Sequence, residues 1–246
     1  MKLSVVIPAY NEETIFRATE KTLTEALTAM KETGVFDDYE LVFVSDGSTD
    51  ATPALITEAA GADPRITPCI YSPNHGKGCA VRTGILASSG DYVLYTDCDL
   101  AYGTDVIADA VKQLTSTGAD VLIGSRAIHP DGYAGYTPLR KLASKVYLRV
   151  LAAFAGFSLS DSQCGFKAMK GDCGRELFAK CTTDSFAFDF EFLIRAQRAK
   201  KSVTELPVTI VNHRASTVHV FRDGFRMLGD IRDIKKRIRA EEKETK

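Results

Sequence analysis

Residues 92–99 read Tyr-Val-Leu-Tyr-Thr-Asp-Cys-Asp, an apolar strand that ends on two aspartates one residue apart. Working upstream, Leu3–Ile7, Glu40–Val44 and Ile66–Tyr71 also read as short strands, and downstream so does Asp120–Ser125. Helical patterns fill the gaps. One is opened by Asn11 and Glu12 and runs to about Thr33; another follows Ser48 or Thr49 as cap, with Asp50 in its first turn. A third follows the turn Asn74-His75-Gly76-Lys77-Gly78 and runs through Ala87, and a fourth separates Thr96 from Asp120. Strand–helix alternation of this kind builds a largely parallel sheet covered on both faces. Such sheets place their sites beyond the carboxyl ends of the strands. Pro8–Glu12, Asp46 and Asp97–Asp99 are the strand ends that carry chemistry-capable side chains.

The chain has 246 residues, 45% hydrophobic and 26% charged, with 31 Lys+Arg against 32 Asp+Glu. That composition excludes a disordered tail, a collagen-like fibre and a small disulfide scaffold. The near-neutral balance conceals a division. Residues 1–123 hold eight Lys+Arg and 18 Asp+Glu, whereas residues 124–246 hold 23 and 14. Opposite signs suggest cation-dependent chemistry in the first half and an anionic partner for the second. Met1–Pro8 lacks the pattern of a secretory signal, and the 11-residue run Val150–Ser160 falls short of the roughly 20 residues a membrane-spanning helix needs. Cysteines 69, 79, 98, 164, 173 and 181 form no C-x-x-C pair, so reduced thiols and a cytoplasmic location are expected, with no nucleic-acid partner.

The second half is less regular. Leu139, Leu142, Val146, Val150 and Phe154 recur at helical steps, flanked by Lys141, Lys145 and Arg149. That face suits either a core helix or one lying on an anionic membrane surface. Helices are expected around Gly171–Lys180 and Asp189–Lys200, a strand at Val203–Val211, and a charge-rich helical tail over Phe221–Lys246.

Alternate residues of a strand end share a side, so Asp97 and Asp99 can face one ion together. Hard oxygen ligands suit Mg²⁺ or Mn²⁺, which keep waters and bridge to substrate phosphates. Asp46 can accept a hydrogen bond from a nucleobase ring N–H, and Lys77, between two glycines, can reach a phosphate. The chain has neither the dinucleotide G-x-G-x-x-G nor the G-x-x-x-x-G-K-[ST] loop at these turns.

Val5-Val6-Ile7-Pro8-Ala9-Tyr10-Asn11-Glu12, Val44–Asp50, Asn74–Gly78 and Asp97-Cys98-Asp99 stand in the order found in family 2 glycosyltransferases, the inverting GT-A type. Gly124-Ser125-Arg126, Asp161–Lys167 and Phe186–Glu191 make the chain resemble the dolichyl- and polyprenyl-phosphate glycosyltransferase branch, especially the dolichyl-phosphate β-glucosyltransferases. The resemblance runs from about Leu3 to His219. It implies a GT-A fold: a Rossmann-like, mostly parallel central sheet flanked by helices, with a C-terminal acceptor-side elaboration. Residues 1–125 would then bind nucleotide sugar and metal, 126–220 the acceptor, and 221–246 would form a basic helical tail.

By the same resemblance Pro8, Tyr10 and Glu12 line the nucleoside site, with Asp46 on the base and Lys77 nearby. Asp97 and Asp99 bind the ribose–phosphate region through Mg²⁺ or Mn²⁺. Asp161, Gln163, Lys167, Asp189 and Glu191 lie around sugar and acceptor. A hydroxyl acceptor needs a general base, for which Asp161, Asp189 and Glu191 are candidates. A phosphate acceptor, with a second pKa of about 6, is already ionised and needs cations instead: Arg126, Arg140, Lys167 and Arg214. Where lipid-phosphate members carry Arg followed shortly by Ser-Lys, this chain has Arg214-Ala215-Ser216-Thr217, with His219 two residues on.

The expected activity is hexose transfer, from UDP-glucose by resemblance, to a polyprenyl phosphate at the membrane surface. The enzyme would be peripheral, docked through Leu139–Phe157 and the basic tail. A glycan hydroxyl is the rival acceptor. A sugar-phosphate nucleotidyltransferase would want a Gly-rich, Arg-containing loop where this chain has Pro8–Glu12, and a binding module without catalysis would tolerate Asp97→Asn.

Overall fold

The computed structural model describes residues 1–133, 149–150, 153–156, 159–212 and 220–244. Its first half alternates as the sequence predicts: β1 (Lys2–Ala9), α1 (Phe16–Glu32), β2 (Asp38–Asp46), α2 (Thr52–Ala62), β3 (Ile66–Tyr71), α3 (Lys77–Ala87), β4 (Tyr92–Tyr95), α4 (Asp105–Thr117) and β5 (Val121–Ser125). The second half adds β6 (Lys167–Lys170), α5 (Gly171–Phe178), α6 (Phe188–Arg198), β7 (Val203–Pro207) and α7 (Val220–Glu244). The strands of the described residues form one sheet in the order β3-β2-β1-β4-β6-β5-β7, parallel except for β6, which runs antiparallel to both neighbours.

Strand order reverses at β1. The chain moves outward through β2 and β3, then returns to lay β4 on the other side of β1. The crevice at such a reversal, outside the carboxyl ends, is where open α/β sheets hold ligands. It is bordered here by Pro8–Glu12 and Asp97–Asp99.

Side chains alternate across β1, so Val5 and Ile7 pack with Phe16, Leu23 and Leu27 of α1 and Ile107 and Leu114 of α4. Val6, on the opposite face, joins Val81 and Ile85 of α3 and Phe188 and Phe192 of α6. Ile231, Ile234 and Ile238, at helical spacing on α7, close a smaller core with Phe190 and Ile194 of α6.

Several boundaries differ from the sequence reading, for local reasons. Helix α1 starts at Phe16, because Asn11 takes a positive φ of 55° and the backbone of Asn11–Glu13 is tied to the 48–52 turn. Ser48 and Thr49 do not cap α2. Ser48 Oγ accepts from Asn11 N, Thr49 N donates to Asn11 Oδ1, and Asp50 lies just before the helix, accepting the Thr52 N–H. Strand β7 ends at Pro207, opposite the last residue of β5, with the Val208 N–H donating a final bond to the Ser125 carbonyl at 3.1 Å. Strand β6 was not expected: four residues with a lysine at each end show no apolar alternation.

Asp120 ties three strands at one edge. Its carboxylate accepts from Lys170 Nζ at the end of β6, and from Ser202 N and Oγ before β7. The Lys170 bond chiefly, with the Ser202 bonds, holds its pKa at about 2. A depressed folded-state pKa stabilises above the unfolded value, near 4, and that stability is lost as pH falls toward 2. Asp120→Asn is therefore expected to cost about 1 kcal/mol at pH 7 after solvent screening. In urea melts the gap between variant and wild type should close between pH 4 and pH 2.

Candidate active site

The β1 and β2 ends are laced together before any ligand is considered. Asn11, Glu12 and Glu13 each donate a backbone N–H to the 48–52 turn, and Glu13 Oε2 accepts the Ala51 N–H at 2.9 Å. Pro8 and Glu12 are half-buried, and Tyr10 stands 50% exposed beside them.

Asp46, 3% exposed at the end of β2, organises the turn after β3. Its carboxylate accepts Asn74 Nδ2 at 2.9 Å, His75 N at 2.9 Å and Gly76 N at 2.8 Å. The nucleobase contact expected of Asp46 thus competes with bonds that already order the 74–76 turn. That turn presents Lys77, the first residue of α3, whose ammonium pairs with the Asp97 carboxylate. Burial alone would lower the Lys77 pKa; the field of Asp97, reinforced by Asp189 and Asp99, outweighs it and raises the value.

Asp97 and Asp99 follow β4, and both are half-buried. Asp99 Oδ1 accepts Ala101 N at 3.1 Å, and Asn212 Nδ2 donates to the carbonyls of Asp99 and Leu100, pinning the turn. Among the described residues no cluster of three or more His, Cys, Asp or Glu side chains could hold a metal. The two carboxylates nevertheless fit Mg²⁺ or Mn²⁺ held partly by the ligand's own phosphates. Gly165 shapes their cradle, since a Cβ there would lie 2.3 Å from Asp97 Oδ2.

The charges expected around sugar and acceptor are paired with one another. Lys167 is fully buried, donating to Asp189 Oδ1 at 2.6 Å and to the Cys164 carbonyl at 2.8 Å, with its ammonium 5.6 Å from the Tyr95 ring centroid. Tyr95 Oη donates to the same Asp189 oxygen at 2.6 Å. Arg126 grips the fully buried Asp161 through Nε at 2.6 Å and Nη2 at 2.9 Å. Hence Lys167 is not a surface cation, and the Asp161 carboxylate is committed to the fork of Arg126.

Glu191, a candidate base, is also fully buried. Its oxygens accept Thr182 N, Thr183 N, both Nε and Nη2 of Arg195, and Nη2 of Arg237 from α7. Burial alone would raise its pKa, and the hydrogen bonds from Thr183 and Arg195 more than offset that, leaving it lowered. A carboxylate so saturated is a poor proton acceptor. Gln163 is half-buried in the Asp161–Lys167 segment. Arg140, Arg214, Ser216 and His219 lie outside the described residues.

The sequence reading missed Tyr95, Gly165, Arg195, Asn212 and Arg237. Tyr95 and Gly165 stand inside quoted segments, where a phenol in an apolar strand and a glycine between site residues were signals. Arg195 lies one helical turn after Glu191, a spacing that could have flagged the pair, whereas Asn212 and Arg237 act across long sequence separations and left no signal.

Residues 4–178 match the model of Glycosyl transferase family 2. The chain is 33% identical over 227 residues to Glycosyltransferase AglD of Haloferax volcanii, covering 91% of this chain and 35% of that protein. It is 34% identical over 220 residues to a dolichyl-phosphate beta-glucosyltransferase of Drosophila melanogaster, covering 85% of this chain and 66% of the relative. It thus spans between about a third and two thirds of the length of these relatives. Among solved structures, glucosyl-3-phosphoglycerate synthase from Mycobacterium tuberculosis with Mn²⁺, uridine diphosphate and glucosyl-3-phosphoglycerate superposes with a TM-score of 0.65 at 19% identity. That match covers 95% of this chain and 78% of the synthase, and shows a shared fold.

Proposed function

The chain belongs to glycosyl transferase family 2, and from that premise we propose that it transfers glucose from UDP-glucose to a polyprenyl phosphate, with inversion at the anomeric carbon. The observation that carries the proposal is the meeting of Lys77, Asp97 and Asp99 at the β1/β4 reversal, where a sheet of this order holds its ligand. The names of the relatives supply the glucose and the lipid phosphate. The synthase bound to Mn²⁺ and uridine diphosphate supports the metal and the base.

Pro8, Tyr10 and Glu12 line the nucleoside, and Asp46 contributes by ordering the turn that presents Lys77. Asp97 and Asp99 would hold Mg²⁺ or Mn²⁺, which when bound offsets charge developing on the leaving diphosphate. Lys77 adds a fixed positive charge there, available without reorganisation. The acceptor phosphate arrives ionised near neutral pH, its second pKa being about 6, so no carboxylate has to take its proton. This agrees with a site whose candidate bases Asp161, Asp189 and Glu191 are each bonded to a buried or half-buried cation. With Arg126 and Lys167 so occupied, we assign the acceptor phosphate to Arg140, Arg214 and Ser216, with Gln163 on the acceptor side. Residues 1–125 form the donor half and 126–220 the acceptor half.

Among the described residues no helix is long and apolar enough to cross a membrane. We place the acceptor end peripherally on an anionic, cytoplasmic membrane face, with α7 alongside. Val150 and Phe154 are 50% and 44% exposed, Arg149 is exposed beside them, and Lys235 Nζ caps the Phe154 carbonyl at 2.9 Å. Exposed apolar groups flanked by cations suit that surface.

A donor screen by nucleoside-diphosphate release, with Mn²⁺ and vesicles with or without polyprenyl phosphate, tests this reading. UDP release from UDP-glucose that requires the lipid phosphate is expected. Release that needs only a soluble sugar would replace the lipid phosphate by a glycan hydroxyl.

A further inference from the structure

Residues 182–185 cross the start of α3, and the fit leaves no spare room. The Gly78 N–H donates to the Asp184 carbonyl at 2.8 Å. A Cβ at Gly76 would lie 2.6 Å from that carbonyl oxygen, and one at Gly78 would lie 2.4 Å from the Thr183 carbonyl oxygen. The two glycines around Lys77 therefore admit a second backbone that seats the lysine from above.

That backbone is held from three directions. Glu191 accepts the Thr182 and Thr183 N–H groups at 3.0 and 2.7 Å. Arg82 of α3 pairs with the Asp184 carboxylate at 2.7 Å. From α7, Arg237 Nη2 reaches both the Glu191 carboxylate, at 2.9 Å, and Thr183 Oγ, at 2.8 Å. Arg195 holds the other Glu191 oxygen and is itself gripped by Glu241 of α7. A planar, multiply donating side chain fixes both partners at once, which a simple apolar contact between α6 and α7 would not do.

We infer that Arg237 is a positioning residue for the donor site: through Glu191 and Thr183 it holds residues 182–185 against Gly76-Lys77-Gly78 and so sets the Lys77 ammonium beside Asp97. The C-terminal helix thereby becomes part of the nucleotide-binding apparatus without touching the nucleotide. This rests on the donor-site reading above.

The test uses the full chain and two readouts. The first is UDP affinity in saturating Mn²⁺ by calorimetry, in wild type, Arg237→Gln, Arg237→Lys, Lys77→Ala and the Arg237→Gln/Lys77→Ala double variant. The second is amide hydrogen exchange at Thr182, Thr183 and Gly78 without nucleotide. Arg237→Gln is expected to weaken UDP about 10-fold in the wild-type background and less than about twofold once Lys77 is absent. Exchange at the three amides should rise, and Arg237→Lys should recover part of both. Glu242→Gln, which removes only the surface pair with Arg198 between α6 and α7, should change neither.

An Arg237→Gln loss that persists undiminished in the Lys77→Ala background, or unchanged affinity and exchange in Arg237→Gln, overturns the inference while leaving the donor site standing. Failure of the wild-type protein to bind UDP with Mn²⁺ overturns the donor-site reading, and the inference with it.

Discussion

Asp97→Asn is expected to lower kcat/KM for the nucleotide sugar about 10³-fold while the protein remains folded. The substitution keeps the shape of the side chain and removes its charge, and two things then fail together. One of the two hard anionic donors at the end of β4 becomes a neutral amide, and the Lys77 ammonium loses its ion-pair partner. Among the described residues no group of three or more His, Cys, Asp or Glu side chains could hold the ion instead. Gly165→Ala probes the same cradle from outside. Its Cβ would lie 2.3 Å from Asp97 Oδ2, so the carboxylate must turn away. A loss on the order of 10- to 100-fold is expected, with a melting temperature close to that of wild type. Steady-state UDP release across a Mn²⁺ titration, read beside thermal melts, checks both variants. Asp97→Asn activity within tenfold of wild type would contradict the assignment.

The second large effect is on stability. Asp189→Ala leaves the Lys167 ammonium fully buried with only the Cys164 carbonyl and the Tyr95 ring for company. Breaking a buried pair by removing one partner costs about 3–5 kcal/mol, because the survivor is uncompensated. For a chain of this size that lowers the melting temperature on the order of 10 °C. Pairing Asp189→Ala with Lys167→Met removes both charges, and most of the loss should return, since an apolar replacement of a buried ion pair is often neutral. Denaturant melts of the single and double variants measure this. A single variant within 1 kcal/mol of wild type would show that Lys167 finds another partner.

What could be read from sequence follows from the range of the interactions concerned. The strands and helices of the first half were visible because their signals are local: apolar runs, turn glycines and polar strand ends. Asp97 and Asp99 stood out for the same reason. Their ion-pair partner Lys77, 20 residues away, was identified by its own glycine setting, not by that contact. The second half was opaque because its buried charges are made of pairs. Asp161 and Arg126 are 35 residues apart, Asp189 and Lys167 are 22 apart, and Arg237 is 54 residues from Thr183. Sequence shows the charge of each group without its partner, so candidate bases and candidate phosphate cations look there like separate machinery. The fold neutralises Asp161 with Arg126 and Asp189 with Lys167. The short antiparallel β6 was hidden for a related reason. Lys167 at its start is buried only because Asp189 awaits it, and a lysine in isolation argues against a central strand.

The basic balance of residues 124–246 also changes meaning. Part of it is spent inside the protein, on Asp161, Asp189 and Glu191, leaving a smaller share for the anionic acceptor we propose.

The most direct test of the central claim is the structure of the product. Purified protein, UDP-glucose, Mn²⁺ and polyprenyl phosphate in vesicles should yield a glucosyl lipid whose proton and phosphorus NMR spectra show a β-linked glucosyl phosphodiester. An α-linked product would contradict inversion, and glucose appearing only on a sugar hydroxyl or in water would contradict the phosphate acceptor.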